Sequence, residues 1–103
     1  MLLTTTETIP GRTYEIIGLV RGSTVQCKNY GHDLFSGLQD LVSGEMNFYA
    51  DLMEDARKIA THRMTEQALD LGADAIVCVR CSGTTLAQGA AEITVYGTAV
   101  RFV

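Results

Sequence analysis

A chain of 103 residues with 47% hydrophobic and 19% charged side chains, ten glycines and one proline has the composition of one globular domain, which excludes a disordered or collagen-like polymer. The formal net charge of -4 comes with basic residues scattered singly (Arg12, Arg21, Lys28, Arg57, Lys58, Arg63, Arg80, Arg101), so no basic stripe awaits a phosphate backbone and nucleic acid is not an expected partner. No apolar run approaches the roughly 20 residues of a membrane helix. The opening MLLTTTETIPG lacks the charged start and apolar centre of a signal peptide, so a cytoplasmic protein with no membrane partner is expected.

Leu2 to Thr6 is short and Thr-rich and runs into the turn signal Ile9-Pro10-Gly11, which predicts a brief edge strand. From Thr13 to Cys27 the chain is rich in β-branched residues and interrupted by Gly18 and Gly22, as in a long strand that bends or bulges at its glycines. KNYGHD then breaks the strand. Leu34, Phe35, Leu38, Leu41 and Val42 fall at helical spacing, with Asp33 placed to cap and Gly44 to terminate a short amphipathic helix. A second, longer helix is predicted over Phe48 to Leu71, about 36 Å long. Tyr49, Leu52, Met53, Ala56, Ile59, Ala60, Met64, Ala68 and Leu71 make its apolar stripe, Asn47 is its cap and Gly72 its stop. Its carboxylates Asp51, Glu54, Asp55, Glu66 and Asp70 fall on the opposite, solvated side. Ile76 to Thr85 and Glu92 to Val103 then read as a hairpin turning near Gly89.

The order strand, helix, helix, strand, strand gives an α+β fold of two layers, a mostly antiparallel sheet packed by one long and one short helix, in a single domain spanning 1–103. In the last strand Ile93 and Val95 point one way while Tyr96, Val100 and Phe102 point the other. One long helix covers one face only. The second face, or an edge, is therefore expected to be covered by another copy of the chain, with Val100 and Phe102 in that contact.

Three cysteines are an odd count and too few for a disulfide framework, which leaves metal binding, redox chemistry or packing. Cys78 and Cys81 form a C-x-x-C, and two converging thiolates would suit zinc or cuprous copper. Ordinary pleating places Cys78 with Ile76 and Arg80 and Cys81 with Val77 and Val79, on opposite faces, so convergence needs a bulge or turn. Redox C-x-x-C pairs usually lie at a helix N-terminus, and this one lies in a strand after a helix end. Buried packing residues are the simpler reading of both cysteines. Cys27 and His32 flank the KNYGH turn and could join another cysteine in space; as metal ligands the candidates are Cys27, Cys78 and Cys81. His62 and Glu66, four apart on one helix face, are the alternative pair for a divalent ion, and a solvated helix face explains them as well. The glycines occur singly and build no phosphate-cradling loop, and no residue set marks a catalytic centre.

The pattern LFSGLQDLVSG, the aromatic Tyr49, DARKIATHRMTEQALDLGADAIV and the closing VYGTAV resembles the YbjQ-like family of small bacterial proteins, whose label is heavy-metal binding. The resemblance runs from about Leu2 to Phe102 and is most specific at Ala56-Arg57 and Leu71 to Val77. It implies a dodecin-like subunit assembled into a homopentameric ring, and it carries no catalytic residues; the cysteine spacing is not part of the family pattern. The expectation is therefore a cytoplasmic ring protein, non-enzymatic, that binds a small ligand or a soft metal ion such as zinc or copper. The alternative is a structural oligomer that binds another protein and no ligand, and an enzyme assembled at the subunit boundary stands behind both.

Overall fold

A computed structural model describes the backbone of residues 1–27, 42–87 and 90–103, and the side chains of 1–25, 50–85 and 90–103. The elements are β1 (Leu2–Leu3), β2 (Tyr14–Cys27), α1 (Val42–Asp70), β3 (Ala75–Ala87) and β4 (Ala90–Phe102). They form a four-stranded mixed sheet in the order β1-β3-β4-β2, with β1 parallel to β3 and the other pairs antiparallel. The α+β class read from the sequence is the one observed. The short helix expected over 33–42, and the turn at Gly89, lie almost wholly outside the described residues.

The long helix departs from expectation at its start. Helical backbone begins at Val42 and runs 29 residues, about 44 Å, so Gly44 is no terminator and Asn47 no cap. A lone glycine inside a helix costs only about 1 kcal/mol relative to alanine, which an otherwise continuous helix absorbs. The other end is as read. Gly72 adopts φ 81 and donates to the Leu69 carbonyl, while Ala73 donates to the Ala68 carbonyl, each at 3.0 Å. This is the paired closure of a Schellman motif, completed by apolar contact between Ala73 and Ala68 in the core. Leu71, counted in the stripe, lies past the helix and is exposed.

Helix α1 lays Ala56, Ala60, Met64 and Ala68 on the sheet, all four fully buried, against Val20, Ile76, Ile93, Val95 and Ala99. The repeat of small residues brings the helix backbone close to β2. A Cβ added to Gly22 would lie 2.1 Å from the Ala60 carbonyl oxygen and 2.4 Å from the Met64 nitrogen. Gly22 therefore marks a close approach and not a bulge. The bulge in β2 falls one glycine earlier, between Ile16 and Gly18. The helix also closes part of the outer edge of β2: the Arg21 amide donates to Gln67 Oε1 at 2.8 Å, and Arg63 Nη1 donates to the Ser23 carbonyl at 2.7 Å. Side chains that satisfy an edge strand block strand addition there.

The second face is half covered, by the chain itself. Residues 4–13 turn back over it through a tight turn in which Arg12 donates to the Ile9 carbonyl at 3.1 Å and Gly11 takes φ 76. Pro10 then occupies the second turn position and Gly11 the left-handed third, the pattern of a type II turn. Ile9 is seated on Ala75, Val77 and Val100, with Tyr14, Cys78 and Phe102 around them and the Arg12 guanidinium 4.5 Å from the Phe102 ring centroid. Val100 is thus 0% exposed within one chain and is not a contact surface for another copy, contrary to the sequence reading. What stays open is the β2 side of that face, where Ile16 is 70%, Leu19 72% and Tyr96 39% exposed.

Gly22→Ala is expected to destabilise the fold by at least about 2 kcal/mol in urea unfolding, because backbone of α1 must move to admit the methyl. Gly18→Ala, with nothing within 4 Å of the added carbon, is expected to change stability by less than about 1 kcal/mol. Equal effects at the two glycines would contradict the close-approach account.

Candidate functional site

The cysteine strand is not a regular strand. Val77 pairs with Thr98 and Arg80 with Tyr96, so Cys78 and Val79 together oppose one residue, Gly97. Cys78 takes φ 56, a left-handed conformation that costs a non-glycine residue on the order of 1–3 kcal/mol. Its compensation is local. With the pleat broken, two successive amides turn to the same outer edge: Cys78 donates to the Thr6 carbonyl at 3.1 Å and Val79 to the Thr4 carbonyl at 3.0 Å, while Arg80 Nη1 reaches the Thr5 carbonyl at 3.0 Å. The irregular segment after β1 is thereby fastened to the bulge. No glycine marks the bulge in the sequence, so residue type alone gave no signal for it.

The bulge changes which residues share a face. Cys78 joins Ala75, Val77 and Val100 on the face away from the helix, half-buried, and does not lie with Ile76. Val79 packs into the helix-side core, and Cys81, paired with Val95, falls on that same side but beyond the helix, exposed. The bulge shifts the register of faces, yet Cys78 and Cys81 still stand on opposite sides of the sheet. Cys27 ends β2 opposite Ala90, five positions along β4 from Val95, which places it about 17 Å up the sheet from Cys81. One chain therefore does not bring the three cysteines together. Cys81 belongs to a stretch, Cys81 to Thr85, whose residues are all exposed. His32 lies outside the described residues.

Helix α1 carries the other candidates. His62 Nε2 lies 3.0 Å from Glu66 Oε1, both side chains exposed, and no group of three or more His, Cys, Asp or Glu side chains is placed to hold a metal ion among the described residues. One turn earlier Arg57 Nη2 donates to Glu54 Oε1 at 2.9 Å. That hydrogen bond and the positive charge of Arg57, with a smaller contribution from Lys58, hold the Glu54 carboxyl below the usual glutamate range. Asp51, Glu54, Asp55, Glu66 and Asp70 are all exposed, as the helical spacing predicts. Between this helix face and the N-terminal strand opens a groove of about 500 Å³, lined by Met1 and Leu3 on one side and by Glu54, Arg57, Lys58, Thr61, His62 and Thr65 on the other. Sequence reasoning did not find it, because the groove exists only once β1 has been carried to the edge of β3.

The candidate surfaces are thus three: an exposed cysteine on the exposed stretch 81–85 of β3, an apolar strip on the second sheet face, and a mixed groove beside the helix. Against this geometry, the family model described as "Putative heavy-metal-binding" matches residues 1–103. The chain is 50% identical over 103 residues to a UPF0145 protein of Clostridium novyi, covering all of both chains. It is 48% identical over 102 residues to a UPF0145 protein of Thermus thermophilus, covering 98% of this chain and 90% of the other. A crystal structure of a DUF74-family protein of unknown function from Pediococcus pentosaceus is similar with a TM-score of 0.62 at 15% identity, covering 100% of this chain and 98% of that one, which bears on fold alone.

Arg57→Ala is expected to raise the Glu54 pKa toward its ordinary value in an NMR titration. Because the folded pKa is depressed, whatever the pair contributes is present above the unfolded pKa and is lost as pH falls through the folded one, so the variant and parent should differ least in acid. An unmoved Glu54 titration would contradict the assigned pair.

Proposed function

The chain belongs to the YbjQ-like family, and from that premise we propose that it acts as a self-assembling, non-enzymatic binding protein whose copies associate through the open part of the second sheet face. The observation that carries the reading is the apolar strip of Ile16, Leu19 and Tyr96, left bare although the same chain covers the neighbouring Ile9 patch. Exposed apolar strips of this kind favour protein contacts. The dimensions agree with it. A radius of gyration of 17.2 Å exceeds the roughly 13 Å of a compact chain of this length, and residues 81–85 of β3 are exposed in an isolated copy. The family resemblance favours a homopentameric ring in the cytoplasm, closed by a head-to-tail contact repeated around the axis.

In such a ring a soft metal ion would be held between copies. Cys81 is exposed in the stretch 81–85 of β3 and Cys78 is half-buried on the other face, so thiolates from neighbouring chains can converge where those of one chain do not. Cys27, at the far end of β2, is the remaining ligand of the set.

Leu19→Asp is expected to dissociate the assembly without unfolding the chain, since Leu19 is already exposed in one copy while an unpaired carboxylate within an apolar contact costs several kcal/mol. Sedimentation velocity reads the result, and an unchanged profile would refute the surface. For the metal, Cys81→Ser is expected to lower zinc or cuprous copper stoichiometry measured anaerobically. Full retention after replacing all three cysteines with serine would exclude thiolate ligation.

A further inference from the structure

We propose that the groove between β1 and α1 is a binding site for a small amphipathic carboxylate, held by its charged end on Arg57 and Lys58 and by its apolar body on Met1 and Leu3. This deepens the small-ligand side of the binding reading and concerns a site separate from the cysteines. The argument begins with charge. In a chain of formal net charge -4, the groove lining carries two permanent cations, Arg57 and Lys58, against one carboxylate, Glu54. Glu54 occupies only Nη2 of the guanidinium, so Nε and Nη1 of Arg57 have no partner among the described residues, and Lys58 closes no ion pair there. A guanidinium offers donors in a planar fork that matches a carboxylate, and an adjacent ammonium adds a second charge-assisted donor.

Position then selects the ligand. Residues 54, 57, 58, 61 and 65 recur at three and four along one helix face, so the donors form a line and the Thr61 hydroxyl continues it. Thr65 spends its proton on the Thr61 carbonyl at 2.9 Å and offers only acceptor capacity. Facing this line, Leu3 is half-buried against the helix-side core and Met1 extends the apolar wall. A cationic side opposite an apolar side fits an anion with a hydrocarbon body, and neither a bare inorganic anion nor a cation uses both. The groove, about 500 Å³, is open to solvent along its length, so a bound carboxylate would lie along the helix face with part of its surface in water. Glu54 sets the polarity of the groove, since it already neutralises one end of Arg57 and repels a carboxylate from that end.

The test uses the assembled protein and sodium octanoate as probe, with octylamine (same body, opposite charge) and acetate (charge, no body) as controls, read by amide chemical shifts. Octanoate is expected to shift the amides of Leu3, Lys58 and Thr61, with octylamine and acetate at least tenfold weaker. The double variant Arg57→Ala, Lys58→Ala, whose side chains are exposed and not in the core, should weaken octanoate at least tenfold while keeping its circular dichroism. Equal response to octylamine, no shift at these amides at millimolar octanoate, or unchanged affinity in the double variant would each overturn the site. Sedimentation of the same samples separates the outcomes: a silent groove in an intact oligomer removes this site alone, whereas a monomer removes the assembly reading.

Discussion

The fold depends on how closely α1 can lie on β2. A helix with bulky residues at its contact line would ride higher above the sheet, but here Ala56, Ala60 and Ala68 carry only methyl groups and Gly22 carries none. Backbone of the helix then meets backbone of the strand, and Met64 is the largest fully buried side chain among the described residues. Once the helix sits this low over β2, its flanking side chains Arg63 and Gln67 are within reach of the strand's outer edge and satisfy it. The same placement draws the helix toward the β2 side of the sheet and leaves the distal hairpin, Cys81 to Thr85, beyond its cover.

The opposite margin of the sheet is closed by different means. Two residues of β1 pair parallel to β3, and the chain after them continues along the edge only because β3 breaks its pleat at Cys78. The strained residue and the two amides it frees are one device: it fixes residues 4–6, and these position the turn that lowers Ile9 onto Val77 and Val100. A thiol at this point packs as a small hydrophobe. The device also fixes β1, whose Leu3, with the preceding Met1, becomes the apolar wall of the helix groove. Fold and candidate ligand site thus share one anchor.

Much of this architecture was legible in the sequence. Period-3.6 spacing located the buried stripe from Leu52 to Ala68, Gly72 located the helix end, and period-2 alternation separated Ile93 and Val95 from Tyr96, Val100 and Phe102. The errors have physical causes. Gly44 and Asn47 look like boundary residues, but a helix continuing on both sides overrides their local preference. Val100 was read as a contact for another copy because alternation reports which face a residue is on and not whether a distant loop folds over it. The faces of Cys78 and Cys81 were assigned on uninterrupted pleating, and one inserted residue changed the neighbours of both. The groove was not visible at all, since it joins residues more than fifty positions apart.

The central claim is that one copy is incomplete and that association covers the bare strip beside β2. Native mass spectrometry of the unmodified protein, 11.2 kDa per chain, tests it most directly. The account predicts a single closed multiple of that mass, five copies if the family resemblance extends to the ring, persisting at micromolar concentration. A monomer alone at that concentration would contradict it and leave Ile16, Leu19 and Tyr96 as surface awaiting a different protein.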